Sequence, residues 1–143
     1  MRARKILVPT DFSHSGDAAL EMATAFARDA GALLLIVHAE ELPSAYGAGH
    51  HPYGMPEPIA DRLQKVEPTD PTVRYERRLI VGDPAHAILR LAKDEQVDMI
   101  VMGTHGRTGL SRMLMGSVAE AIVRGAECPV LTYRQPKTVA SSV

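Results

Sequence analysis

The sequence is short of cysteine, of net charge and of long apolar runs, and each shortage removes a class of protein. Cys128 is the single cysteine in 143 residues. That excludes an internal disulfide framework and a cysteine-rich zinc site. Lys and Arg number 16 against 17 Asp and Glu, for a formal net charge of −1. This balance gives no general attraction to nucleic acid or to an anionic membrane. The start, Met1 to Pro9, is basic, but its apolar run is only Ile6-Leu7-Val8. That is too short for a leader's apolar segment or a membrane span, so a soluble protein of a reducing cytoplasm is expected. No GxxxxGK[ST] loop occurs, so no lysine is set by motif on the outer phosphates of a nucleotide. There is no internal repeat and no low-complexity tract.

What the chain does have is alternation. The length suits one unit with its own core, spanning 1–143 with its core at about 5–134 and a polar tail over 135–143. Ile6-Leu7-Val8 reads as a strand closed by Pro9. Ala18, Ala19, Met22, Ala23, Phe26, Ala27 and Ala30 then recur at helical spacing. Ser13 or Ser15 is the candidate N-cap of that helix, and Gly31 its stop. Leu33 to Val37 is continuous and apolar, as a strand covered on both faces should be. Val73 to Val81 carries Arg74, Glu76, Arg77 and Arg78, which suits an edge strand. Asp83-Pro84 is a helix start. Met99 to Met102 is again a buried strand, a helix runs from about Ser117 to near Gly125, and Val130 to Tyr133 reads as the last strand.

Five strands interleaved with helices predict an α/β doubly wound open sheet of parallel strands with helices on both faces. The order 3-2-1-4-5 buries strands one, two and four and leaves the charged third strand at an edge. Its winding reverses between strands one and four, and open α/β sheets bind ligands outside the carboxyl ends at such a reversal. The segment 40–72 is the irregular one. It holds Pro43, Gly47, Gly49, Pro52, Gly54, Pro56, Pro58, Pro68 and Pro71, and only about 57–66 has the spacing of a short helix, with Ile59, Leu63 and Val66 on one face.

The reversal receives two loops. One is Thr10-Asp11 after the first strand. The other leaves the fourth strand through Gly103-Thr104-His105-Gly106, runs nine residues, and reaches Gly116-Ser117-Val118 at a helix start. The first amides of a helix lack internal partners and its dipole favours negative charge there, so the second loop suits a phosphate. Glycine permits positive φ and close approach of a ligand. Arg107 could neutralise a phosphate oxygen or simply be solvated. Ser117 is either an N-cap or a ligand contact. Asp11 either complements the first helix's dipole or meets a ligand at the reversal. His105 has no orienting partner in sequence, so it reads as structural or as lining the ligand. His50-His51 do not make a metal site, with His38 and His86 distant. Cys128 reads as a small hydrophobe at a strand start. Met102, Met113 and Met115 read as core or loop packing, Met102 standing beside the loop by position.

Through Pro9-Thr10-Asp11, Gly82-Asp83-Pro84, Val97 to Arg107, Gly116-Ser117-Val118 and Cys128-Pro129-Val130, the chain resembles the universal stress protein family from about Lys5 to Tyr133. The most specific element is G-x2-G-x9-G-S, which in that family marks the members that bind ATP. The resemblance implies the adenine nucleotide alpha hydrolase-like sheet in the order above. It also implies a homodimer whose last strands, Val130 to Tyr133 here, pair antiparallel. Carried over by residue, it puts Asp11 near adenosine, accepting from ribose or adenine or meeting phosphate-bound Mg²⁺ through water, and the backbone around Ala39, just past strand two, at the adenine. Gly103, Gly106, Arg107, Gly116, Ser117 and Val118 would wrap ribose and phosphates. Pro9, Thr10, Met102 and His105 complete the expected site.

The expected function is therefore that of an ATP-binding, dimeric stress-response regulator or sensor, with any Mg²⁺ held through the phosphates and no metal site of the protein's own. The lack of a phosphate-directed lysine and of an obvious base argues against fast hydrolysis. The alternatives are a slow ATPase or nucleotidyl-transfer enzyme, and a protein-interaction module that makes no use of nucleotide.

Overall fold

The computed structural model describes residues 3–41, 58–104 and 115–134. Its elements follow in chain order: β1 (Lys5–Pro9), α1 (His14–Ala30), β2 (Leu33–Glu40), α2 (Ile59–Gln64), β3 (Tyr75–Val81), α3 (Pro84–Asp94), β4 (Met99–Gly103), α4 (Ser117–Gly125) and β5 (Val130–Tyr133). The five strands form one sheet in the order β3-β2-β1-β4-β5, and every recorded pair is parallel. The sequence-based order and strand direction are those observed.

Side-chain alternation along the strands builds two cores. Ile6, Val8, Leu34, Ile36 and Val101 face the layer of α1 and α2, where Ala19, Ala23, Ala27 and Leu63 meet them. Leu7, Leu35, Val37, Ile100 and Met102 face the layer of α3 and α4, against Ala85, Ile88, Ala119 and Ile122. Successive strand residues point to opposite faces, so a strand covered on both sides must be apolar at every position. This is why β1, β2 and β4 read as unbroken apolar runs. Each fully buried Leu or Ile contributes about 1.5–3 kcal/mol. The alanines of α1 let that helix lie close on the sheet.

Helix ends follow local chemistry. Ser13, not Ser15, is the N-cap of α1: its side chain accepts from the Gly16 amide at 3.3 Å. Gly31 ends α1 with φ 66°, the left-handed conformation glycine tolerates best. Asp83 caps α3 by accepting from the His86 amide at 3.1 Å, with Pro84 in the first turn. At α4 the cap is Gly116, without a side-chain bond, and Ser117 is the first helical residue. The cap reading of Ser117 is thus corrected. A glycine N-cap is common enough, and it leaves the Ser117 side chain exposed. Two boundaries also move. Tyr75 opens β3, and β2 runs on to Glu40, so Ala39 lies within β2 and pairs with Ile80. Pairing to the neighbouring strand carries β2 past the point where its apolar run stops.

Candidate cleft at the winding reversal

The crevice opens where β1 and β4 part. Their recorded pairs are Ile6↔Met99 and Leu7↔Ile100. Beyond these, β1 leads to Thr10-Asp11 and β4 to Gly103-Thr104, while the N-terminal turn of α1 lies over the gap. A Cβ added to Gly103 would overlap Ser15 Oγ and lie 3.0 Å from Ser15 Cβ. One added to Gly16 would lie 3.2 Å from Thr10 Oγ1 and 3.5 Å from Asp11 Oδ1. Small residues at 16 and 103 therefore let α1, β1 and β4 converge.

The turn after β1 is self-bonded. The Phe12 amide donates to Thr10 Oγ1 at 3.0 Å, and the Ser13 amide donates to Asp11 Oδ1 at 2.9 Å. Between them Phe12 takes φ 67°, a conformation that costs a non-glycine residue energy and persists only where neighbours enforce it. Those neighbours are His38 and Arg62. The Phe12 ring lies 4.7 Å from the His38 ring, and the Arg62 guanidinium lies 4.4 Å from the Phe12 centroid. His38 is buried, and its Nδ1 stands 2.7 Å from the Thr10 carbonyl oxygen. A carbonyl can only accept, so Nδ1 carries the proton in that bond. The stack ties α2, β2 and the β1 exit together.

On the far wall, the Glu120 amide donates to the Gly116 carbonyl as the first bond of α4. The amides of Ser117, Val118 and Ala119 precede that bond and take no helix carbonyl. They stand at the positive end of the helix dipole.

These walls enclose a cleft of about 630 Å³, within the size range of small-ligand sites. Of the residues expected at the site, Pro9, Thr10, Asp11, Ala39, Met102, Gly103, Gly116, Ser117 and Val118 all border it. His105, Gly106 and Arg107 lie outside the described residues, as do His50, His51 and Met113. Met102 is both core and cleft wall, 5 % exposed. Sequence reasoning missed several border residues, among them Ser15, His38, Glu40, Ile59 and Ile88. His38 was open to discovery: it follows the apolar run Leu33–Val37 without a break, so it belongs at the carboxyl end of that strand. Ser15 carries no local signal beyond that of a candidate cap. Among the described residues no group of three or more His, Cys, Asp or Glu could hold a metal ion, and no helix is long and apolar enough to cross a membrane. Cys128 is partly buried and packs beside the α3–α4 core. Burial, and then the Asp98 charge, pushes its thiol above the usual range.

A parallel five-stranded sheet with a cleft at its winding reversal defines a doubly wound α/β protein. The chain belongs to the universal stress protein family, whose model matches residues 2–134. A universal stress protein of Thermus aquaticus, from the QAH/OAS sulfhydrylase 3′ region, is 35% identical over 139 residues, covering 92% of this chain and 98% of that one. The solved structure of MJ0577 superposes with a TM-score of 0.75 at 27% identity, covering 96% of this chain and 100% of that one. A universal stress protein in complex with cAMP superposes with a TM-score of 0.72 at 26% identity, covering 95% and 100%.

Proposed function

We propose that this chain is an ATP-binding regulator or sensor of the stress response, acting in the cytoplasm as a homodimer. The observation that carries the reading is the pairing of opposite walls in one cleft. The open amides of α4 face the polyphosphate, and the Asp11 turn faces the adenosine. The solved relative with bound cAMP supports an adenine nucleotide in this fold. In this reading Asp11 meets the sugar, and the β2 backbone around Ala39 meets the base. Gly103, Gly116, Ser117 and Val118 wrap the ribose and phosphates with His105, Gly106 and Arg107. Mg²⁺ enters with the nucleotide, held through phosphate oxygens and water. The open edge of β5 is the dimer contact, since an unpaired edge strand invites another chain.

The side chains at the cleft favour binding over turnover. Thr10 Oγ1 already accepts from the Phe12 amide, and Asp11 already accepts from the Ser13 amide, so the β1 exit spends its polar groups on shape. A slow ATPase would show itself as phosphate released at saturating MgATP. A rate of order 1 s⁻¹, the low end of ordinary enzymes, would replace the regulator reading.

The direct test is thermal melting with and without MgATP. Ligand at about a hundred times its dissociation constant adds about 2.7 kcal/mol, a rise of roughly 5–10 °C for a domain of this size. No shift at millimolar MgATP, with AMP and cAMP equally silent, would leave the chain as a nucleotide-independent interaction module.

A further inference from the structure

The first turn of α1 carries a hydroxyl the described fold does not use. Ser15 is 8 % exposed, and its Oγ is buried without a hydrogen-bond partner among the described residues. It is not the cap, because Ser13 fills that place. An unpartnered buried hydroxyl costs stability, and alanine at the same position would remove the cost and favour the helix. The hydroxyl also takes up room: its Oγ lies where a Cβ on Gly103 would stand. Ser15 borders the cleft together with Thr10, Asp11, Gly16 and Gly103.

We infer that Ser15 is a specificity-determining residue, and that its hydroxyl bonds a sugar hydroxyl of the bound nucleotide seated at Gly103. The inference rests on the nucleotide reading above. Its chemistry follows from what surrounds the serine. A carboxylate accepts hydrogen bonds and repels phosphate oxygens, whereas a serine hydroxyl both donates and accepts. A sugar hydroxyl can donate to Asp11 and still exchange a bond with Ser15. A phosphate oxygen can only accept, and its charge belongs at the amide end of α4 on the other wall. The corner of Ser15 and Asp11 therefore reads the sugar and separates ribose from deoxyribose.

The test is titration calorimetry of the full chain with ATP, 2′-deoxyATP and 3′-deoxyATP, on the wild type and on Ser15→Ala, with melting curves of both proteins alone. The wild type is expected to prefer ATP over one of the deoxy forms by about five- to tenfold, the worth of one hydrogen bond. Ser15→Ala is expected to melt about 3 °C higher without ligand, to bind ATP about five- to tenfold more weakly, and to lose that preference. Equal wild-type affinity for all three nucleotides overturns the inference and needs no variant. So does a Ser15→Ala that keeps the preference, or that weakens all three equally, or that melts lower without ligand. A wild type that binds none of the three overturns the nucleotide reading itself, a separate result.

Discussion

The Gly116 amide donates to the Thr104 carbonyl over 2.7 Å. This bond joins the exit of β4 to the N-cap of α4. Thr104 is anchored on its other side as well, its amide donating to the Tyr133 carbonyl at 3.0 Å. The amide end of α4 is therefore fixed by β4 and β5. A binding group mounted on sheet strands keeps its geometry better than one mounted on a loop, and close placement is what an anion cradle requires.

Gly103 and Gly125 both sit against neighbours, and alanine at the two positions should behave differently. At Gly103 a Cβ would lie 3.0 Å from Ser15 Cβ and 3.1 Å from the Ser15 carbonyl oxygen. Helix backbone cannot step aside, so Gly103→Ala should cost about 1–3 kcal/mol and weaken nucleotide binding. At Gly125 the nearest atom is Leu89 Cδ1 at 2.7 Å, the tip of a flexible side chain. The helix-propensity gain of about 1 kcal/mol offsets that adjustment, so Gly125→Ala should stay within about 1 kcal/mol of wild type. Urea denaturation of the two variants side by side measures the contrast, and equal losses would contradict it.

The turn held by Asp11 can be separated from the nucleotide contact proposed for it. Its Oδ1 holds the Ser13 amide at 2.9 Å, which shapes the turn into α1. Asparagine keeps an oxygen able to accept the same bond, and alanine does not. Asp11→Ala should lose about 1 kcal/mol of stability, and Asp11→Asn about half as much or less. Both should weaken ATP binding about tenfold, the value of a hydrogen bond to a charged group. An Asp11→Asn protein that binds ATP as wild type does would confine the residue to the turn.

The sequence made the sheet legible because its inner strands must be apolar on both faces. Leu33 to Val37 and Met99 to Met102 could hardly be anything else, and the charges of Arg74 to Arg78 pushed β3 to the edge. Asp83-Pro84 announced α3 for an equally local reason. The glycine spacing located the α4 wall of the cleft. What stayed hidden depends on contacts between distant residues. That Ala39 falls inside β2 is decided by its pairing with Ile80, forty-one positions away. That Ser13 rather than Ser15 caps α1 is decided by a turn in which Phe12 is held at φ 67° through His38 and Arg62. That Gly116 rather than Ser117 caps α4 turns on the bond to Thr104. No local pattern carries any of these three facts.

The edge of β5 offers a test of the proposed dimer that spares the fold. The Ile100 amide donates to the Pro129 carbonyl, and the Thr104 amide to the Tyr133 carbonyl. Odd-numbered residues of β5 thus turn their backbone groups toward β4, and alternation turns the Thr132 amide to the open side. Proline is tolerated on an edge strand where its missing N–H faces outward. Thr132→Pro should keep the far-ultraviolet circular dichroism of wild type and sediment as a monomer at micromolar concentration. A Thr132→Pro protein that stays dimeric would move the dimer contact elsewhere.

Glu95 ties the sheet's amino end to α3 and gives the protein an acid-sensitive contact. Its Oε2 lies 3.0 Å from Lys5 Nζ and its Oε1 3.5 Å from an Arg78 guanidinium nitrogen. The Lys5 hydrogen bond, then the Lys5 charge, then Arg78 hold the carboxyl below its ordinary value. A carboxyl whose folded pKa is depressed stabilises the fold above its unfolded pKa, and that contribution disappears as pH falls through the folded one. Glu95→Gln should therefore melt below wild type at pH 7, and the gap should close as pH drops from about 4.3, the ordinary glutamate value, toward lower pH. Asp70 is also held low, chiefly by its bonds to Thr72, but it titrates in both proteins and cancels from the difference. Salt at about 1 M should narrow the pH 7 gap, because these groups are partly in water. Melting curves of the two proteins from pH 7 to pH 3 decide it. A gap that persists unchanged at pH 3 would show that Glu95 acts through packing of its stem rather than through its charge.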